Sequence, residues 1–245
     1  MKTWLAETHL QIQAMEHLVL SLEPGMVPGE IEKALAPFRL MSAPLEEHSR
    51  ISPETNPTNA PSPPGNDFGE LVVLARQERE FLGRLLALMS PNLQWDVIGE
   101  QLRLLCQKPF ELSGFYLAQA NWASQEIHFP YFYEVGRIRQ VHPIPLTPTS
   151  GLTGWAIFQN QATYLDTAEA CQARGMILTA SELRSGLHAK SWFGAPLPSP
   201  DPMRPMGLMG FHCFHPNAFS PERRRRMTLV ARLTALHLQD QLDAP

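Results

Sequence analysis

The hydrophobic pattern of the chain is strongest between Asp67 and Met89. Apolar residues recur there every three or four positions, which is the repeat of an amphipathic helix. Charge at Glu78 and Arg79 interrupts the stripe near its middle. A helix of this kind can lie on its own domain or pair with a partner helix, and the pattern leaves both possibilities open.

Further helices are predicted on both sides of this one. A helix is expected to begin at Ser90-Pro91 and to stop at Pro109, because proline is tolerated in a first turn but not in a helix interior. A closing helix follows Ser220-Pro221 with apolar residues at the same spacing. Weaker periodicity predicts two short helices before residue 41. Below about 40 residues a chain seldom buries enough surface to fold alone, so this pair should dock on something.

The pattern changes to strands after the second strong helix. Ser113–Gln119 and Glu126–Tyr133 read as a hairpin, with Pro130 at an edge or a bulge. A third strand is predicted over Arg137–Leu146, poorly paired on at least one side because it contains two prolines. Two later strands, around 192–197 and 206–214, complete the predicted sheet.

A short helix is predicted between the third strand and the later ones. Thr149 and Ser150 can supply capping hydroxyls, and Asn160 can end the helix in a left-handed conformation. Gly151 and Gly154 fall one turn apart on this helix. Because glycine destabilises a helix interior, we expect a strand or a ligand to approach this face closely.

Composition divides the chain into four parts. The predicted parts are an N-terminal helical segment at 1–41, a proline-rich linker at 42–66, a connecting amphipathic helix at 67–90 and a folded domain at 91–245. The prolines of the linker exclude both helix and central strand, which predicts an extended, semi-rigid tether. A proline-motif docking site for another protein is the alternative.

Charge and cysteine content narrow the class of protein. The chain has 20 Lys and Arg against 24 Asp and Glu, and this net charge of -4 argues against nucleic acid as a main partner. No uncharged apolar run approaches the ~18 residues that span a bilayer, and we expect a cytoplasmic protein without a membrane segment. The 3 cysteines are widely spaced, which predicts reduced thiols and no disulfide framework.

Several segments together resemble a GAF domain, over about residues 82–242. In order these are Gly151-Leu-Thr-Gly-Trp-Ala156, then Asn160 and Asp166, Trp192-Phe-Gly-Ala-Pro-Leu197, Met206-Gly-Leu-Met-Gly-Phe211, Phe219-Ser-Pro-Glu222 and the closing helix. The resemblance implies an α+β fold with a central antiparallel sheet flanked by helices. Short helices would cover one face, and the helices of Leu82, Leu102 and Leu233 the other. It also implies a regulatory, ligand-sensing domain in signalling, with a protein partner and helices that pair into a homodimeric coiled coil.

A ligand site is expected around the short helix with the glycines. Its first-turn amides and Thr153 could hold an anionic or carbonyl group while Trp155 stacks on a flat ligand. The alternative is that the glycines serve helix–sheet packing and that Trp155 is core. Strand aromatics could wall the cavity, although strand alternation assigns half of them to another layer. The expected ligand-binding residues are Thr153, Trp155, Tyr131, Tyr133, His188 and Phe193.

Other candidate chemistry finds little support in the residues. In His212-Cys213-Phe-His215 alternate side chains point to opposite faces, so at most two ligands converge, and no metal site is expected. Cys171 does not fall where bilin-binding relatives carry their attachment cysteine. The Asn-Lys-Phe-Asp-Glu signature of cyclic-nucleotide-binding members is missing, and the three cysteines lie too far apart for a free methionine sulfoxide reductase.

From these observations we expect no catalytic residues and a protein that is not an enzyme, with the cofactor left unknown. The leading hypothesis is a non-catalytic sensor that binds a small ligand and signals through its flanking helices to a partner. The alternative is a ligand-free GAF-like module for dimerisation or protein interaction. The run Arg223–Arg226, at the start of the closing helix, indicates either a solvated face or contact with an acidic partner.

Overall fold

The structure is a computed structural model that describes residues 67–88 and 94–242, apart from 177 and 179, and isolated residues of the N-terminal part. Most of the predicted segments 1–41 and 42–66 therefore lie outside the described residues. The helices of the continuous part are α1 (Asp67–Leu88), α2 (Trp95–Phe110), α3 (Gly151–Gln159), α4 (Ala168–Ala173), α5 (Ala180–Ser185) and α6 (Pro221–Leu242). The strands are β1 (Gly114–Asn121), β2 (Glu126–Glu134), β3 (Arg137–Ile138), β4 (Ile144–Pro145), β5 (Thr163–Leu165), β6 (Ser191–Leu197) and β7 (Gly207–Cys213).

One antiparallel sheet organises these elements. Its strand order is β3-β2-β1-β7-β6-β5, and β4 pairs with the opposite end of β2 from β3. The predicted α+β class with a central antiparallel sheet flanked by helices is confirmed.

Each face of the sheet carries its own hydrophobic cluster. On one face, Phe115 and Phe211 pack with the helix layer formed by α1, α2 and α6. On the other face, Tyr116 and Trp192 pack with α3 and α4. The predicted arrangement is therefore confirmed, with the helices of Leu82, Leu102 and Leu233 on the side opposite α3.

A bulge in β2 changes which residues face which helices. Leu117 pairs with Tyr131 and Gln119 with His128, so β2 inserts one extra residue at Phe129-Pro130. The predicted position of Pro130 at a bulge is confirmed. Phe129 faces the α3 side while Tyr131, two residues later, faces the helix layer.

The predicted third strand is wrong as a continuous element. Only Arg137–Ile138 and Ile144–Pro145 pair with β2, and the residues between them leave the sheet. Pro143 and Pro145 cannot donate backbone hydrogen bonds, which prevents a continuous ladder. In the described structure the outer edge of β2 therefore has no strand partner between Ile127 and Phe132, apart from one hydrogen bond from Arg139 to the Phe132 carbonyl.

Three helix ends differ from the predictions. Helix α2 begins at Trp95, after the extended residue Gln94, and not at Ser90-Pro91. Helix α2 continues through Pro109 and ends at Phe110, and its C-cap residue Glu111 has a left-handed φ of 54°. Pro109 lacks the N–H that would donate to the Leu105 carbonyl, and the helix ends one residue later, at Phe110. In α3, Ser150 occupies the N-cap position without a side-chain capping bond. Its hydroxyl pairs instead with that of Thr147, at 2.7 Å.

The close approach expected at the α3 glycines is made by the chain itself. A Cβ on Gly154 would overlap the carbonyl oxygen of Thr147. Gly151 has a φ of 64° and begins the helix in a left-handed conformation. The expectation that a nearby strand or ligand explains these two glycines is therefore wrong. Asn160 does end the helix in the left-handed region, as predicted, with a φ of 50°.

The apolar stripe of α1 packs against its own domain, and most of the arginines in the run 223–226 contact groups of the same chain. Leu82 and Leu86, which belong to this apolar stripe, are buried in the domain's own core. Arg223 pairs with Glu111 at 2.7 Å, and Arg226 pairs with Glu78 at 2.8 Å. The acidic groups that the run contacts thus belong to the same chain. Among the described helices, none is long and apolar enough to cross a bilayer.

We predict that Gly207→Ala destabilises the domain by about 1–3 kcal/mol, because a Cβ there would overlap the backbone of Ala118 on the neighbouring strand. Thermal unfolding measures the effect. The control is Gly136→Ala, which adds the same methyl group where nothing lies within 4 Å and strains only a turn with φ of 74°. Equal losses of melting temperature would contradict the packing argument.

Candidate functional site

The α3 side of the sheet is shaped by three glycines that lie under side-chain rings. A Cβ on any of them would overlap the ring above it. The pairs are Gly114 under His212, Gly194 under Trp192 and Gly210 under Tyr116. These glycines allow the rings to lie flat on the backbone between the sheet and α3.

A buried polar network connects the sheet to α3. The Trp192 Nε1–H donates to the Tyr116 hydroxyl at 3.2 Å, and that hydroxyl is 2.9 Å from the hydroxyl of Thr153. Phe132 stacks on the Tyr116 ring with centroids 5.2 Å apart. Burial raises the pKa of Tyr116 to about 12, so its hydroxyl stays protonated and can donate at neutral pH.

A buried histidine lies beside a buried carboxylate in the next row of the sheet. Gly114 pairs with both Glu134 and His212, so the two side chains share the α3 face across β1. They are 8% and 4% exposed. The His212 Nε2 is 3.6 Å from the Glu134 carboxylate, and it has no hydrogen-bond partner among the described residues.

Burial sets the charge of this pair. It lowers the pKa of His212 to about 4, against the opposing charge of Glu182, so the imidazole is neutral at neutral pH. Burial and the charge of Glu182 raise the pKa of the Glu134 carboxyl, and Arg139 opposes that shift. Arg139 is 3.5 Å from Glu134 and 43% exposed, so a line of polar groups leads from solvent to His212.

These groups place hydrogen-bonding atoms between aromatic surfaces on the α3 face. The neutral imidazole and the Tyr116 and Thr153 hydroxyls can each donate or accept, depending on the tautomer or rotamer. The rings of Trp192 and Phe132 offer flat apolar surface beside them. Such a combination of aromatic walls and a few convergent polar groups is typical of small-ligand sites.

Of the six residues expected to bind a ligand, Thr153 lies inside this network. Trp155 lies at its margin, half-buried, with the Arg174 guanidinium 5.1 Å from the centre of its ring. His188 is also half-buried, and its buried Nδ1 has no hydrogen-bond partner in the described structure.

The other three residues lie on the opposite face of the sheet. Tyr131, Tyr133 and Phe193 belong to or pack against the helix-layer cluster, because they alternate with Phe132 and Trp192 along their strands. The prediction of one cavity lined by all six residues is therefore wrong. The Tyr131 hydroxyl donates to Glu100. The guanidinium of Arg103 lies 4.3 Å from the centre of the Tyr133 ring.

Sequence reasoning missed Glu134 and assigned no role to His212 beyond a rejected metal site. The signal that could have found them is the alternation of the strands. Counting by two from Tyr116 on β1 reaches Gly114, and the predicted hairpin aligns this residue near Glu134. Placing His212 beside them needs the pairing of β1 with β7, which joins residues about one hundred positions apart.

The thiols and possible metal ligands add no further site. The three cysteines are free and buried. Burial raises the pKa of Cys171 to about 11 and raises that of Cys106 as well, so both are thiols at neutral pH. Over the described residues, no three His, Cys, Asp or Glu side chains converge as a metal ion would need.

A concave region lies at the edge of the sheet, on the bulge of β2. Its volume is about 780 Å³, and its walls are the start of α2 and the segment after β3. It is lined by residues 96–97, 100–101, 129–131 and 138–142. Tyr131 and Glu100 form part of this groove, and Phe129, which also lines it, packs edge-to-face against Tyr116 of the polar network.

The fold defined by this sheet and its two helical layers is that of a GAF-like domain. No family model and no curated protein matches the sequence. Among solved structures, a free methionine-R-sulfoxide reductase from Neisseria meningitidis, in complex with its substrate, is 16% identical, with a TM-score of 0.53 over 67% of this chain and 90% of that one.

Two further solved structures are similar. The reduced form of the corresponding reductase of Staphylococcus aureus is 12% identical, with a TM-score of 0.51 over 64% of this chain and 92% of that one. The GAF domain of an Acinetobacter phosphoenolpyruvate-protein phosphotransferase is 16% identical, with a TM-score of 0.49 over 68% of this chain and 95% of that one. At these identities the likeness concerns the fold alone.

The comparisons correct one expectation. We expected a protein that is not an enzyme. That expectation is wrong, because the resemblance to GAF domains does not support it. Structures with this fold include free methionine-R-sulfoxide reductases, so the fold itself accommodates catalysis.

We predict that Gly114→Ala lowers the free energy of unfolding by about 1–3 kcal/mol only when His212 is present, because the new methyl group overlaps the imidazole. A double-mutant cycle with His212→Ala measures the coupling by denaturant unfolding. In the His212→Ala background the added methyl group should cost less than about 0.5 kcal/mol. Additive losses would show that the imidazole does not occupy the space over Gly114.

We predict a pH dependence of stability that originates at His212. Its pKa is about 4 in the folded state against 6.5 for a free histidine, so the unfolded state binds more protons as the pH falls. The stabilisation is complete above pH 6.5 and is lost toward pH 4. The raised pKa of Glu134 acts in the opposite direction.

Replacing His212 with Asn should therefore reduce the stability loss between pH 7 and 5 by about 2 kcal/mol. Urea unfolding at several pH values measures this slope. The control is His142→Asn, because His142 is exposed. Parallel slopes for wild type and His212→Asn would contradict the assignment.

Proposed function

We propose that this protein is a regulatory GAF-like protein that binds a small ligand on the α3 face and transmits its presence to the helix layer. The observation that carries the proposal is the buried polar network of Tyr116, Thr153 and Trp192 beside the His212 nitrogen that has no hydrogen-bond partner among the described residues. A buried polar group without a partner costs free energy, and a ligand that bonds to it removes that cost.

Strand β2 offers a physical route from this face to the helices. Phe132 stacks on Tyr116 on the α3 side, while its neighbours Tyr131 and Tyr133 contact Glu100 and Arg103 of α2. Arg103 and Glu100 are themselves joined by two hydrogen bonds of 2.8 and 2.6 Å. A ligand that shifts Phe132 would therefore move groups bonded to α2. Its different affinities for the two positions of Phe132 would shift the population between them.

A second candidate function is a GAF-like interaction module that acts without a ligand. The rings of Tyr116, Trp192 and His212 lie directly on the glycines beneath them, and this packing favours that alternative. A ligand can enter between sheet and α3 only if at least one of these rings moves. The output in either case is a protein partner or a second copy of the chain. The free cysteines support a reducing compartment, and we propose the cytoplasm.

Native mass spectrometry of the protein as isolated, followed by a thermal-shift screen of metabolites, tests the proposal. We expect a bound small molecule, or a metabolite that raises the melting temperature by several degrees. Tyr116→Phe and Thr153→Val should each reduce that shift, because each removes a hydroxyl of the network.

The matched control is Tyr133→Phe, which removes a hydroxyl from the opposite face of the same sheet. It should leave the ligand response unchanged. A protein without an adduct and without any stabilising metabolite would favour the interaction module. An equal loss in all three variants would show that the α3 face is not the binding site.

A further inference from the structure

One row of residues crosses the α3 face of the sheet at the level of Gly114. Gly114 pairs with Glu134 on β2 and with His212 on β7, and His212 pairs in turn with Trp192 on β6. Directly paired residues of an antiparallel sheet point to the same face, so the carboxylate, the imidazole and the indole share one side. Because Gly114 has no side chain, no group of β1 stands between the carboxylate and the imidazole.

The two polar groups of this row do not satisfy each other. The Glu134 Oε1 is 3.6 Å from the His212 Nε2, and the Glu134 Oε2 is 3.5 Å from the Arg139 guanidinium. Both distances exceed the roughly 3.2 Å of a good N–H···O hydrogen bond. The side chains of His212 and Glu134 are 5% and 10% exposed, and the His212 Nε2 has no hydrogen-bond partner among the described residues. A buried nitrogen and a buried carboxylate oxygen thus face one space without a close contact.

The charges around the row select the kind of group that could complete it. Burial and the charge of Glu182, on α5, raise the pKa of the Glu134 carboxyl, and the charge of Glu182 also acts on His212. An anion would add to this repulsion between carboxylates. An apolar group would leave the oxygen and the nitrogen buried without partners. A cation that carries several N–H groups avoids both costs.

We propose that the ligand of the α3 face carries a primary ammonium group, held between the Glu134 Oε1 and the His212 Nε2. This inference rests on the proposed function and names the class of ligand that its site takes. One nitrogen can lie at ~2.9 Å from both atoms, since they are 3.6 Å apart. The carboxylate accepts one N–H, and the neutral imidazole accepts another at Nε2 in the tautomer that carries its proton on Nδ1.

The surroundings of the row define the rest of this ligand. Tyr116 follows Gly114 by two residues on β1, so its row lies roughly 7 Å farther along the same face. The Trp192 indole connects the two rows, because it donates to the Tyr116 hydroxyl. A short chain on the ammonium would place a flat apolar body against this indole. The ligand is therefore a small amine with an aromatic or apolar body.

Three probes of nearly equal shape test the proposal on the full-length protein. Phenethylamine, phenethyl alcohol and hydrocinnamate carry a cation, a neutral hydroxyl and an anion at the same end. Calorimetry measures the affinity of each. We expect phenethylamine to bind at least about tenfold more tightly than the other two, because it alone forms charge-assisted hydrogen bonds with Glu134. In Glu134→Gln, which removes the charge at nearly constant volume, phenethylamine should lose this advantage.

The matched control is Glu126→Gln, at the other end of β2, where the carboxylate is 47% exposed. This variant should keep the preference for phenethylamine. His212→Asn leaves Glu134 in place and should also weaken the binding of phenethylamine, which provides a second test if Glu134→Gln does not fold. Because the readout is a ratio of two affinities, a lower stability of a variant does not imitate the result.

The possible outcomes separate this inference from the proposed function. If phenethyl alcohol or hydrocinnamate binds as well as phenethylamine, and Tyr116→Phe weakens that binding, the α3 site stands and the ammonium class is overturned. A preference for phenethylamine that survives Glu134→Gln, or that Glu126→Gln removes equally, also overturns it. So does a failure of phenethylamine to bind. If in addition the metabolite screen finds no ligand, the proposed function fails as well.

Discussion

The structure depends on the alternation of side chains along β1, β2, β6 and β7. Because neighbouring residues of a strand point to opposite faces, one sheet supplies both the aromatic network under α3 and the core under α1, α2 and α6. The bulge at Phe129-Pro130 resets this alternation once, in the middle of β2. Without it Tyr131 would face α3, and its bond to Glu100 of α2 could not form.

Glycine controls the space on the α3 face as closely as the aromatic residues do. His212 reaches toward Glu134 because Gly114 leaves the intervening strand without a Cβ, and Gly210 admits the ring of Tyr116 in the same manner. The large side chains there are consequently fixed by backbone on one side and by α3 on the other. Polar atoms held in this way are preorganised, but a guest molecule must displace a ring to reach them.

The sequence predicted most of the fold and little of the candidate site. Helical periodicity located α1, α2 and α6 because their apolar stripes face one layer, and the hairpin was evident from its turn residues. Thr153 was found because it lies between the two glycines of a recognisable pair, Gly151 and Gly154. Glu134 and His212 were not, since their proximity depends on pairings of distant strands. Tyr131 and Phe193 were assigned to the wrong side because local pattern does not say which face of a sheet is which.

The interrupted pairing at the outer edge of β2 limits how this protein can assemble. An exposed strand edge normally invites another chain to add a strand. Here Pro130 lies within the unpaired stretch and offers no N–H, and Pro143 and Pro145 lie at the C-terminal end of the segment that passes beside it. Strand addition is therefore blocked where the sheet is most open. Cross-β aggregation should therefore not start from this edge.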